Sequence, residues 1–153
     1  MKIYTINRVQ ILPVKIEQAW DFFTSPHNLS KITPSSLNFK VLSKNEGPIH
    51  PGMIIRYKVH PILGIPLDWV TEITHVAHQH LFVDEQRFGP YAFWHHLHKF
   101  REVKEGVEME DLVHYALPFG PIGSLAHALI VKKKVNEIFD FRAKILKEIL
   151  GSY

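Results

Sequence analysis

Cysteine is absent from these 153 residues, which excludes disulfides, zinc–thiolate sites and thiol nucleophiles and fits a reducing cytoplasm. No run reaches the roughly 18 uncharged apolar residues of a membrane-crossing helix, so stable membrane insertion is not expected. The opening Met1-Lys-Ile-Tyr-Thr-Ile-Asn-Arg8 has neither an apolar core nor a small-residue cleavage site, so no secretory leader is expected. Repeats, low-complexity tracts and flexible linkers are missing too, and the length then implies one domain over residues 1–153. Concentrated charge is scarce, although the net charge is +3 and the isoelectric point about 9.1. The only dense basic run is Lys132-Lys133-Lys134, with Arg142, Lys144 and Lys147 further along the same predicted helix. A solvated helix face explains it, and no nucleic-acid partner is expected. A weak contact with anionic lipid is the sharper alternative.

What is present is a soluble globular composition, 46% hydrophobic and 22% charged, in a chain long enough to bury a sizeable core. Ile3 to Leu12 reads as a strand ended by Pro13. Residues 15–23 keep the i, i+3, i+4, i+7 spacing of an amphipathic helix through Ile16, Ala19, Trp20 and Phe23. Ser25-Pro26 predicts a second short helix to about Ile32, with Ser25 as its cap. Strands are predicted over 37–44, 53–60, 67–76, 80–87, 91–103 and 107–117, too closely spaced for crossover helices and therefore an antiparallel meander. Ser124 is expected to cap a terminal helix to about Leu150, ended by Gly151, with Val131, Val135, Ile138, Phe139, Ile145, Leu146 and Ile149 as its stripe. At 1.5 Å per residue this helix spans roughly 40 Å, enough to cross a sheet.

The resulting order, β-α-α-β6-α, implies an α+β fold in which a curved seven-stranded antiparallel sheet wraps the long C-terminal helix. A sheet that curls round a helix leaves an internal cavity. Since packing density forbids large accidental voids, such a cavity implies a ligand.

Within the run Tyr91–Arg101, Trp94, His96, His98 and Phe100 stand at every second position and so share one face. Two aromatics and two imidazoles suit the wall of a pocket for an apolar ligand with a polar handle. With Glu105-Gly106 as the turn, Lys104 faces Val107, His98 faces Val113 and His96 faces Tyr115. The same face then carries Asp111, Val113, Tyr115 and Leu117, leaving Lys99, Arg101, Glu110, His95 and His114 to water. With His78-Gln79 as the preceding turn, Ile73 meets Asp84 and Thr71 meets Gln86. The inner face collects Trp69, Thr71, Ile73, Phe82, Asp84 and Gln86, with Glu72 and Glu85 outside. A buried carboxylate needs a partner, so a His98–Asp111 pair is expected whatever the function.

Phe139 of the terminal helix should close the cavity. Arg142 interrupts the helix stripe, and either snorkels or pairs with a carboxylate, or anchors a ligand carboxylate. Hairpins alternate ends, so the Gly/Pro-rich loops 60–66, 87–90 and 118–123 should meet at one end. Ile62, Leu63, Phe88, Pro90, Phe119 and Pro121 are expected there as an apolar gate.

Two stretches carry a family likeness. One is Ala19-Trp-Asp-Phe-Phe-Thr-Ser-Pro-His-Asn-Leu-Ser-Lys-Ile-Thr-Pro34. The other runs from Phe82-Val-Asp-Glu-Gln86 through Gly89-Pro-Tyr91, Trp94-His-His-Leu-His-Lys-Phe100 and Met109-Glu-Asp111 to Tyr115-Ala-Leu-Pro-Phe-Gly120 and Ile138-Phe-Asp-Phe-Arg142. Together they resemble the START/birch-pollen-allergen-like (SRPBCC) superfamily, nearest its bacterial ligand-binding and polyketide-cyclase/dehydrase-like branch. The resemblance implies the helix-grip fold and supports Trp69, Trp94, His96, His98 and Tyr115 as lining residues. Its members carry lipids, bind hormones or polyketides, or catalyse cyclisation, so it supplies no catalytic set.

The leading expectation is a non-catalytic cytoplasmic binder of a hydrophobic small molecule or lipid, without cofactor and at most weakly dimeric. The alternative is a cofactor-free cyclase or dehydratase in which His98 with Asp111 is the base and Tyr115 or His96 the donor. A metal triad, His96-x-His98-x3-Glu102, is set aside because Glu102 lies near the hairpin end and no fourth ligand follows. An interaction module with a filled interior is the last reading.

Overall fold

The computed structural model describes residues 1–61 and 64–151. Strand β1 (Tyr4–Leu12) is followed by helix α1 (Ile16–Phe23) and the single turn α2 (Pro26–Leu29). A 3-10 turn (Ser35–Leu37) leads into β2 (Lys40–Val41) and β3 (Ile54–Val59). The long strands β4 (Leu67–Ala77), β5 (Leu81–Phe88), β6 (Phe93–Val103) and β7 (Gly106–Ala116) complete the sheet. The C-terminal helical segment comprises α3 (Gly120–Ala126), a π-helical stretch (His127–Val131) and α4 (Lys132–Leu150). The sheet is antiparallel in the order β1-β7-β6-β5-β4-β3-β2, which with the long helix is the helix-grip α+β arrangement.

Several boundaries differ from the sequence expectation. The second helix stops at Leu29, leaving Ile32 and Thr33 buried in irregular chain, and Ser25 makes no capping bond. Only Lys40–Val41 of the expected 37–44 strand pairs with β3, because the chain first turns through Ser35–Leu37. The terminal helix begins at Gly120, so Ser124 lies inside it. Phe119 before it adopts φ +67°, an uncommon left-handed conformation for a bulky residue.

Alternation decides which faces are buried. Along β7, Val107, Met109, Asp111, Val113 and Tyr115 are buried and the residues between them are not. On the outer face Lys99 meets Glu110 at 3.3 Å, Arg101 meets Glu108 at 2.8 Å, and Arg87 bridges Glu72 and Glu85. The helix α4 buries Val135, Phe139, Arg142 and Leu146, spaced four, three and four residues apart. Arg8 and Gln10 of β1 reach Asn136 Oδ1 and the Ala143 carbonyl, at 2.6 and 3.0 Å, and tie the helix to the sheet edge.

Both hairpins correct the expected turns. In β6–β7 the turn is Lys104-Glu105, so Val103 pairs with Gly106, His98 with Asp111 and His96 with Val113. The error is two residues, which shifts partners but keeps faces. Gly106 serves a close approach instead: a Cβ there would collide with the Leu12 carbonyl of β1. In β4–β5 the turn takes a third residue, with Gln79 at φ +60°, and Ala77 pairs with Leu81. A bulge between Ile73 and His75 removes the offset, so Ile73 does pair with Asp84 and Thr71 with Gln86.

Candidate functional site

The hydrophobic interior divides into two clusters. Trp20 of α1 packs edge-on against Phe82 and Phe100, with ring centroids 6.0 and 5.6 Å away. The second cluster gathers Ile6, Val113, Tyr115, Val135 and Phe139. Alongside them lies a cavity of about 180 Å³, walled by Trp69, Thr71, Ile73, Phe82 and Trp94 from the sheet and by Val135, Ile138 and Phe139 from α4. Phe22, Phe23, Leu29 and Ile32 close it from the α1–α2 side, and Ile55, Tyr57 and Val59 from β3. These two groups escaped the sequence argument. The β3 trio alternates as the β6 residues do, so the same period-two test would have found it.

A second hollow of about 440 Å³ shares Leu37, Pro61, Pro90, Tyr91, Val135 and Ile138 with the first. It is bounded by Pro34, Ile65, Leu67, Leu117 and Lys134, so described parts of loops 60–66 and 87–90 meet at one end, whereas 118–123 contributes no lining residue. Of the expected gate residues that are described, only Pro90 lines it; Phe88, Phe119 and Pro121 are exposed. Ile62 and Leu63 lie outside the described residues. Phe119, Ile122, Leu125, Leu129 and Ile130, at and within the start of the C-terminal helical segment, are exposed.

One side of the cavity is polar. His96 and His98 lie with ring centroids 3.7 Å apart and planes tilted by 35°, between Asp84 of β5 and Asp111 of β7. His96 Nε2 bonds Asp111 Oδ1 at 2.8 Å, and its Nδ1 lies 3.6 Å from Asp84 Oδ2. His98 is turned the other way: Nε2 bonds Asp84 Oδ2 at 2.8 Å, and Nδ1 lies 2.9 Å from Asp111 Oδ1, outside hydrogen-bond alignment. Each imidazole thus spans both carboxylates. The expected His98–Asp111 pair is in contact, but the aligned bond to Asp111 belongs to His96. Arg142 Nη1 lies 3.6 Å from Asp111 Oδ2, its guanidinium is 4.9 Å from the Phe139 ring centroid, and its Nε has no partner among the described residues. Arg142 is buried, so it does not snorkel to the surface.

The electrostatics follow from these contacts. Burial alone would raise both carboxyl pKa values, but the imidazoles and Arg142 outweigh it, holding Asp84 below and Asp111 well below the ordinary value. Burial opposes a charge on His98, yet Asp111 and Asp84 prevail and raise its pKa. For His96, burial followed by repulsion from His98 wins, and its pKa is lowered. The two carboxylates therefore favour a proton on His98 over one on His96, with Arg142 beside Asp111.

Asp84, His96, His98 and Arg142 line the cavity, as do Trp69, Thr71, Phe82, Trp94 and Phe139. Asp111, Gln86, Phe100, Val113 and Tyr115 lie outside the lining, although the sequence placed them on the wall. Gln86 instead clamps the β5–β6 turn, donating to the Tyr91 carbonyl at 2.7 Å and accepting from the Tyr91 amide at 3.2 Å. The Tyr115 hydroxyl meets His127 Nε2 at 2.9 Å, and His127 stacks on Tyr4 at 3.4 Å. Tyr115 thus lies outside the cavity lining with its hydroxyl directed to His127. His127 was missed, since a lone histidine on a predicted helix gives no signal. Glu102 is exposed near the β6–β7 turn, so the triad through it is not formed. One donor atom each from Asp84, His96 and His98, by contrast, lies within 4.8 Å of the other two.

The comparisons with known proteins agree on the fold. No family model matches the chain, and no curated protein matches it by sequence. Among solved structures, protein CV1439 from Chromobacterium violaceum superposes with a TM-score of 0.74 at 13% identity, covering 97% of this chain and 98% of its own. TTHA0849 from Thermus thermophilus gives 0.72 at 17% identity, over 96% and 97%. Ara h 8.0201, a Bet v 1-like allergen, gives 0.62 at 12% identity, over 96% and 99%. The chain therefore shares the helix-grip fold of these structures.

Proposed function

We propose that the protein binds a hydrophobic small molecule or lipid with a polar handle in the cavity between sheet and C-terminal helix, without catalysing its conversion. The lining carries the reading: an aromatic and aliphatic wall interrupted on one side by Asp84, His96, His98 and Arg142. Apolar burial at about 25 cal/mol per Å² would supply affinity, and the polar side would orient the ligand. Arg142 Nε, without a partner among the described residues, would be a donor suited to a carbonyl or carboxylate of the ligand. The hollow beside Leu117, Pro61 and Pro90 is the entrance in this reading.

Native mass spectrometry of the purified chain, followed by titration of the delipidated protein with a cis-unsaturated fatty acid and its methyl ester, tests it. A retained lipid, or saturable binding weakened at least tenfold in Trp94→Ala, supports the carrier. An empty protein that binds neither probe overturns it.

The cyclase-like alternative draws on the opposite pKa shifts of two adjacent cavity imidazoles, which would give one neutral base and one charged donor. Its original donor Tyr115 is engaged by His127, so the chemistry would fall to His96 and His98 alone. Turnover of a polyketide analogue, lost in His98→Ala, would replace the carrier reading.

A further inference from the structure

We infer that Asp84, His96 and His98 form a binding site for one divalent first-row metal ion, with an open coordination position facing the cavity. The inference starts from orientation. His98 Nε2 and His96 Nδ1 both approach the same atom, Asp84 Oδ2, at 2.8 and 3.6 Å. Tetrahedral ligands at the usual 2.0–2.1 Å lie roughly 3.3 Å apart, and these two separations straddle that value. A metal would displace the proton shared between His98 and Asp84 and draw together three donor atoms that lie within 4.8 Å of one another.

The opposite nitrogens supply an independent observation. His96 Nε2 and His98 Nδ1 both face Asp111 Oδ1, at 2.8 and 2.9 Å. A carboxylate behind each metal-bound imidazole fixes its tautomer and strengthens it as a ligand. Asp111 stands behind both at once, is itself outside the cavity lining, and lies 3.6 Å from Arg142. Three ligands toward the cavity and one orienting carboxylate behind match an open site better than a closed structural one.

Charge balance points the same way. Asp84 and Asp111 against Arg142 leave one negative charge when both imidazoles are neutral. A dication turns this into one positive charge beside the cavity, suited to an anionic fourth ligand such as a carboxylate. Two imidazoles and one carboxylate select zinc, cobalt, nickel or ferrous ion over calcium or magnesium. The site does not depend on the proposed carrier function; an apolar ligand could bind with or without it.

The test uses the untagged, chelator-treated full chain. Titration with Co2+ should give one equivalent bound, with visible absorption of a low-symmetry nitrogen–oxygen site, and Zn2+ should displace it. Asp84→Asn and His98→Gln should lose the absorption, and Asp111→Asn should bind about 10- to 100-fold more weakly. His95→Gln on the outer face should bind like the parent. Circular dichroism checks that each variant folds. If Asp84→Asn does not, a Zn2+-dependent, EDTA-reversible rise in the parent's Tm carries the test. Absence of both the absorption and the Tm rise overturns the site, as does Co2+ binding kept in folded Asp84→Asn or lost in His95→Gln.

Discussion

Two buried clusters built around histidine pack on β7, one through His96 and His98 of β6 and one through His127 of the π-helical stretch, and their neighbours give them opposite chemistry. In the first, His96 and His98 sit between two carboxylates, and His98 is driven toward its charged form. In the second, His127 stacks on Tyr4 and meets the Tyr115 hydroxyl, with no carboxylate paired to it among the described residues. Burial, then Lys132 and Lys2, hold His127 below its ordinary pKa. All three rings are buried; among the described residues only the first cluster holds fixed anions that make a proton or a metal ion welcome. Burial alone makes a histidine neutral, and paired anions make it a site.

The comparison breaks most visibly at Asp111. Asp111→Asn leaves Arg142 and the imidazoles facing an uncharged amide, and should cost about 3–5 kcal/mol in urea unfolding, as for a broken buried ion pair. Tyr115→Phe removes one neutral hydrogen bond and should cost about 1 kcal/mol. Equal losses would show that the first cluster is no more charged than the second.

The pH dependence sharpens the same contrast. His98 binds its proton more tightly folded than unfolded, so its contribution to stability is full below about pH 6.5 and lost as pH rises through its folded pKa. His127 does the reverse: stability falls as pH drops from about 6.5 toward its lower folded value. Imidazole proton NMR of metal-free protein should place the His98 midpoint above 6.5 and the His96 and His127 midpoints below it. A His98 midpoint at or below 6.5 would remove the imidazolium from the cluster. The smallest effect belongs to the outer face, where His95→Gln should change stability by less than about 0.5 kcal/mol.

Which residues face inward was legible from alternation, because a pleated strand turns every second side chain the same way whatever its partner. Trp94, His96, His98 and Phe100 share a face for that reason, and a two-residue error in the hairpin left it intact. Partner identity was not legible. It depended on Gly106 serving β1 instead of the turn, and on a bulge near Thr74 offsetting a longer turn. Facing inward also differs from lining a cavity. Asp111, Val113 and Tyr115 are buried on the expected side, yet α4 and the π-helical stretch cover them.

By itself the sequence determined the element order, the inner and outer faces of the sheet, and the presence of buried carboxylates and imidazoles among aromatics. These are local consequences of periodicity and of the charge each residue type carries. Tertiary structure alone decided that each imidazole spans two carboxylates, that Arg142 turns inward to Asp111, and that Tyr115 answers to His127. Such pairings join strands and helices far apart in the chain, and only the curvature of the sheet around α4 fixes the few ångströms on which they depend.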